Sequence, residues 1–194
     1  MATLYPVINP DRIEPDDYST SALMRSRYAF CTGYLLVHEL AVYYKQVQEP
    51  HPNRVGCRYK TIRRRFDYLV MGHWGQKSGE LLIFEEKETV ADLRREFENN
   101  YDKSACARDW GTRFYLILPA TFKKHKVINE IPKSWGILWK YNKRLITGKN
   151  GLETENNAPI YLYGDIIGKY LREKNERERQ QQIDLEYAEK KENV

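Results

Sequence analysis

Cysteine is scarce in this chain: Cys31, Cys57 and Cys106 are odd in number and far apart, with no CxxC pair among them. Neither a disulfide framework nor a zinc knuckle is indicated, and a reducing cytoplasm is the expected compartment. Long apolar runs are also missing. A bilayer-spanning helix needs about 20 consecutive apolar residues, and no stretch approaches that, so no membrane partner is expected. The first residues carry Asp11, Glu14, Asp16 and Asp17 rather than the charged-then-apolar layout of a signal peptide. A large excess of one charge is absent too: 32 Lys and Arg against 27 Asp and Glu leave +5, too little by itself to demand a polyanionic partner. His38-Glu39 opens like a zinc-protease motif, but Val42 stands where the second histidine ligand would have to be. No internal repeat is present.

What is there suits a folded domain. A hydrophobic share of 41% and 15 tyrosines argue against wholesale disorder, and 194 residues leave room for one domain with appendages. Residues 1–18, with Pro6, Pro10 and Pro15, read as an extended arm. From Ser19 or Thr20 a helical pattern runs to about Gln48 through Leu23, Tyr28, Cys31, Leu35 and Ala41, and Pro50 and Pro52 end it. Strands are expected over 54–62, 64–71 and 80–87, the last two joined by a loop at 72–79. Tyr68, Leu69, Val70 and Met71 make both faces of the second strand apolar, as in a central strand covered on both sides. Thr89 caps a helix from Val90 to about Arg108, with Val90, Leu93, Phe97 and Tyr101 on one stripe. A strand over 113–118 stops at Pro119. A short helix over 122–131, strands over 135–139 and 143–146, a polar loop over 147–159 and a helix from Gly164 complete the chain. The expected organisation is an arm (1–18), an α/β domain with a mixed sheet flanked by helices (19–163) and a charged C-terminal helix (164–194). Beyond Leu171 apolar positions thin out, so that helix is expected to be solvated, with a homodimer or partner-protein contact as the alternative.

The chemistry concentrates where the apolar run Leu81–Phe84 ends in Glu85-Glu86-Lys87. Side chains alternate along a strand, so Glu85 and Lys87 share one face and Glu86 takes the other. Asp67 follows a basic cluster of Arg58, Lys60, Arg63, Arg64 and Arg65. Phosphodiester hydrolysis needs an activated water and neutralisation of phosphate charge, which a carboxylate-bound Mg²⁺ or Mn²⁺ supplies. Asp67 and Glu85 are the candidate metal ligands, and Lys87 the candidate contact to water or phosphate. Because Arg63, Arg65 and Asp67 have the same parity, two guanidiniums are expected to lead into the site. The competing explanation is a solvated strand edge and a surface ion pair worth under about 1 kcal/mol.

A longer similarity surrounds these residues. Arg64-Arg65-Phe66-Asp67, Glu85-Glu86-Lys87, Thr89-Val90-Ala91-Asp92-Leu93-Arg94, Arg113–Pro119, Ile131-Pro132 and Trp135–Leu138 follow in the order and spacing of the MmcB-type DNA-repair proteins, a branch of the PD-(D/E)XK nuclease superfamily that residues 63–140 resemble. The resemblance implies a restriction-endonuclease-like fold, a metal-dependent DNA endonuclease acting in repair or in phage and mobile-element DNA processing, and a site of Asp67, Glu85 and Lys87; Arg94, which opens the helix beside that site, is a further candidate contact to DNA phosphate. Glu86 departs from the family's apolar residue. The upstream acid has no clear equivalent, and Glu39 on the expected first helix is the candidate. A nuclease-fold module that binds nucleic acid or a protein with little or no catalysis is the alternative.

Overall fold

The computed structural model describes residues 19–29, 32–50, 57–73, 75, 78–98, 107, 109–110, 113–152 and 158–192, the side chains of 43–50, 57–62, 98 and 189–192 excepted. The expected arm over 1–18 lies outside these residues. Helix α1, Thr20–Arg27, starts where Ser19 Oγ accepts the Ala22 N–H at 3.2 Å. It does not continue to Gln48. The segment Tyr34–Pro50 is strand β1, entered through Gly33 at φ +86°. Period-2 burial of Leu35 and Val37, then of Leu40 and Val42, together with β-branched and aromatic density, outweighs the loose helical spacing.

The two short strands expected at 54–62 and 64–71 are one strand, β2, Cys57–Gly72. It pairs antiparallel with β1 along its whole length, from Tyr34↔Gly72 to Pro50↔Cys57. Strand β3, Leu81–Glu86, pairs with β2 only from Tyr68↔Phe84 to Met71↔Leu81. The remainder of β1 and β2 therefore leaves the sheet as a two-stranded ribbon.

Helix α2, Val90–Glu98, crosses over to β4, Arg113–Pro119, which runs parallel to β3. In place of a helix over 122–131 stand two 3₁₀ turns, Ala120–Lys124 and Lys126–Glu130. His125 separates them in extended backbone, its Nδ1 accepting the Val127 N–H at 3.1 Å. Strand β5, Gly136–Tyr141, is parallel to β4, and β6, Arg144–Lys149, returns antiparallel. Helix α3, Ile160–Glu192, begins four residues ahead of the expected Gly164. The result is an α/β architecture, a six-stranded mixed sheet in the order β1-β2-β3-β4-β5-β6 with helices on both faces.

One face of the sheet packs against α2 and the start of α3 through Leu93, Leu162 and Ile166, the other against α1 through Leu23 and Met24. Among the described side chains the alternation along β1 and β2 changes phase at one place, ahead of a one-residue register shift between Tyr43 and Lys45. Leu35, Val37, Leu69 and Met71 belong to the first face, but so do Leu40, Val42 and Phe66, which the strict period would send to the second. The break falls at Glu39 and its opposite number Asp67, and Glu39 holds the left-handed φ of +50°. Both strands slip together, so the pairing register survives. Among the described residues no helix is long and apolar enough to cross a membrane.

Candidate active site

Asp67 and Glu85 meet where the β2–β3 ladder stops. Past Tyr68↔Phe84 the backbone bonds give way to side chains: Asp67 Oδ2 accepts the Glu86 N–H at 2.8 Å, and Glu85 Oε1 lies 3.4 Å from the Asp67 N–H. Each carboxylate holds the other's strand. Glu85 is wholly buried and Asp67 half-buried.

Lys87 follows β3 on the same face as Glu85, as strand alternation requires, and its backbone N–H still bonds Ile117 O at 3.0 Å. Its ammonium is 3.3 Å from Glu85 Oε2 and 2.9 Å from Glu96 Oε2 on α2. Burial works against the charged ammonium, but attraction by Glu85 and Glu96 outweighs it, so its pKa stands above the ordinary lysine value. Glu96, buried beside Lys87, is the site residue that the sequence reading missed. A signal existed: Glu96 lies three residues past Leu93 and next to Phe97, inside the apolar stripe of α2, where an acid needs a buried cation.

Glu86 points to the other face, where its carboxylate accepts from Thr20 Oγ1 of α1 and from Lys140 Nζ at 3.0 Å. These partners account for an acid where the resembling family has an apolar residue. Glu39 is on β1, not on a helix; it is exposed, and among the described residues no three His, Cys, Asp or Glu side chains converge as a metal-ligand set. The structure thus unites Asp67, Glu85 and Lys87, adds Glu96, and leaves Glu39 outside.

The basic candidates divide. Arg63 and Arg65 are exposed on the ribbon, while Arg64, opposite Val42, is half-buried and donates from Nη1 to Arg63 O at 3.1 Å. The phase change at Asp67 interrupts the parity expected to align Arg63 and Arg65 with it. Arg58 and Lys60 occupy ribbon positions opposite Glu49 and Val47, and their side chains lie outside the description. Arg94 is exposed on α2, 3.9 Å from Glu130. Arg113, at the start of β4, pairs with Glu80 at 3.4 Å at the opposite end of the sheet.

Asp67 and Glu85 are the two carboxylates that could hold a divalent cation here, a pair that Mg²⁺ accepts when water and phosphate complete its shell.

These features define an α/β protein with a mixed six-stranded sheet and a buried acid–lysine cluster at a strand end. No protein-family model matches the chain, and no curated protein matches it. Its structure is similar to that of SPO1766, a protein of unknown function from Silicibacter pomeroyi, with a TM-score of 0.50 and 16% sequence identity over 80% of this chain and 84% of that one. At that identity the likeness concerns the fold.

Proposed function

We propose that the protein is a Mg²⁺- or Mn²⁺-dependent DNA endonuclease of restriction-endonuclease-like fold, related to the MmcB-type branch of the PD-(D/E)XK superfamily and acting in repair or in phage and mobile-element DNA processing. The observation that carries this reading is the meeting of Asp67 with Glu85 and Lys87, eighteen and twenty residues further along the sequence, at one strand end. Asp67 and Glu85 would hold the cation. When bound, it supplies an acidified water and neutralises phosphate charge. Lys87, steered by Glu96, presents its ammonium toward a phosphate oxygen or the attacking water, while the exposed Arg63 and Arg65 contact the backbone beyond the cleaved bond.

Asp67→Asn is the sharpest test, because an amide oxygen can still accept the Glu86 N–H. On a panel of labelled duplex, single-stranded and branched DNA with Mn²⁺, this variant should lose cleavage by about 100-fold or more while keeping its fold and most DNA affinity. Equal cleavage by wild type and variant would assign the activity to a contaminant.

A second reading has its own observation: the Lys87 ammonium is already shared by Glu85 and Glu96. A cluster so satisfied also suits a nuclease-fold module that binds nucleic acid or a protein without catalysis. Such a module would show DNA binding with steep salt dependence and no effect of metal. Calorimetric titration with Mn²⁺ separates the two, since only the enzyme needs a cation site that Asp67→Asn removes.

A further inference from the structure

We infer that the surface around Tyr141, at the end of β5, is a second contact for the phosphate backbone of nucleic acid, on the opposite flank of the Asp67–Glu85 site from the β1–β2 ribbon. The inference rests on the nucleic-acid part of the reading above and is independent of cleavage. Residues 119–150 carry eight lysines and arginines against one acid, Glu130, in a chain whose total charge is only +5. That acid stands 3.9 Å from Arg94.

Topology brings part of this charge to the site. Strands β4 and β5 run parallel to β3, so their C-terminal ends, at Pro119 and Tyr141, emerge on the sheet edge where Glu85 and Lys87 lie. There Lys123 donates to Tyr141 Oη at 2.6 Å and sits 5.2 Å from the centre of that ring and 5.5 Å from that of Trp139. The Arg144 guanidinium lies 5.9 Å from the Tyr141 ring centre. Lys124 adjoins Lys123, Lys143 adjoins Arg144, and all four cations are exposed. The two acids between this surface and the site, Glu86 and Glu88, face Lys140 at 3.0 and 3.9 Å.

Tyr141 gathers two cations, Lys123 through its hydroxyl and Arg144 beside its ring, and with Lys124 and Lys143 adjoining them positive charge is concentrated at this end of the sheet. A polyanion is the complementary partner of such a surface. Strand β5 is two strands from β3, about 10 Å at roughly 4.8 Å per strand, so a nucleic-acid strand crossing this edge reaches the site and the Tyr141 surface within a few nucleotides. Arg63 and Arg65 meet it on the other side.

The test is fluorescence anisotropy of a labelled DNA duplex in EDTA across a salt series. A Lys124→Ala/Lys143→Ala/Arg144→Ala variant leaves Lys123 on Tyr141, and its thermal midpoint reports folding. The slope of log affinity against log salt should fall by about 2 to 3, at about 0.9 per phosphate contact, whatever the DNA sequence. The single Lys124→Ala and Lys143→Ala variants should each remove about one unit, and Lys143→Arg should remove none. Unchanged slope and affinity in the folded triple variant would overturn the inference, as would a wild-type protein that does not bind DNA. Selective loss of binding to phosphatidylserine vesicles, with DNA binding intact, would also overturn it by assigning the surface to a membrane. Preserved DNA binding without cleavage would remove only the hydrolytic reading.

Discussion

Lys87 bridges two buried carboxylates, which makes it a structural residue as well as a candidate for the chemistry. Removing the ammonium leaves Glu85 in the core without its cation, a change that costs about 3 kcal/mol in comparable settings. Lys87→Ala should therefore lower the urea midpoint clearly, and its loss of activity is interpretable only beside that measurement. Glu96→Gln keeps shape and an acceptor oxygen but halves the charge holding Lys87. It should reduce kcat about 10-fold or more with KM for DNA little changed, and Glu96→Asp should restore part of it; equal losses in kcat and DNA affinity would assign Glu96 to packing alone. The trio of Asp67, Glu85 and Lys87 was legible in the sequence because strand alternation places Glu85 and Lys87 together and a basic run precedes Asp67. Glu96 was not, because an acid on a charged helix becomes informative only when the stripe it interrupts is known to be buried.

Among the elements, β3, β4, α2 and the β5–β6 hairpin were readable from local pattern, since each combines dense apolar residues with a cap, a proline or a turn at its boundary. Strand β1 was not. Its apolar residues change phase at Glu39, and a period-2 pattern with one slip mimics helical spacing over the same residues. The identity of the two short expected strands as one was hidden by the polarity of the sequence where they join, Arg63-Arg64-Arg65, beyond which β2 pairs with β1 alone. Helix α3 divides functionally along its length. Leu162 and Ile166 are wholly buried, and Lys169 and Glu173 reach backbone atoms of β1, whereas Ile183, Leu185 and Tyr187 are exposed. A chain ended at Asn175 should melt within about 3 °C of the full protein, while Ile166→Ala should lose about 2 to 5 kcal/mol. A drop in sedimentation mass on that truncation would reveal a partner contact through the exposed half.

For the molecule as a whole, the folded state holds its tyrosine and lysine protons more tightly than the unfolded chain, so alkaline pH works against the fold. Burial raises the pKa of Tyr28, Tyr34 and Tyr68 above the tyrosine value of 10.0, with Glu80 adding to the effect at Tyr34, and Lys87 is raised as well. Groups raised in the folded state contribute stability that is complete below their unfolded values and lost as pH climbs through the folded ones. Lys149, lowered by burial and by Lys133, acts in the opposite sense from a half-buried position. The urea midpoint should hold steady up to about pH 10 and fall above it, with tyrosinate absorbance rising at the same point as unfolding; a midpoint constant through strongly alkaline pH would contradict this. The coordinated slip at Glu39 and Asp67 has a mechanical consequence at the same scale. Both strands rephase together at the root while the register shift comes further out, between Tyr43 and Lys45, so the irregularity of the ribbon is kept away from the position that aims the Asp67 carboxylate.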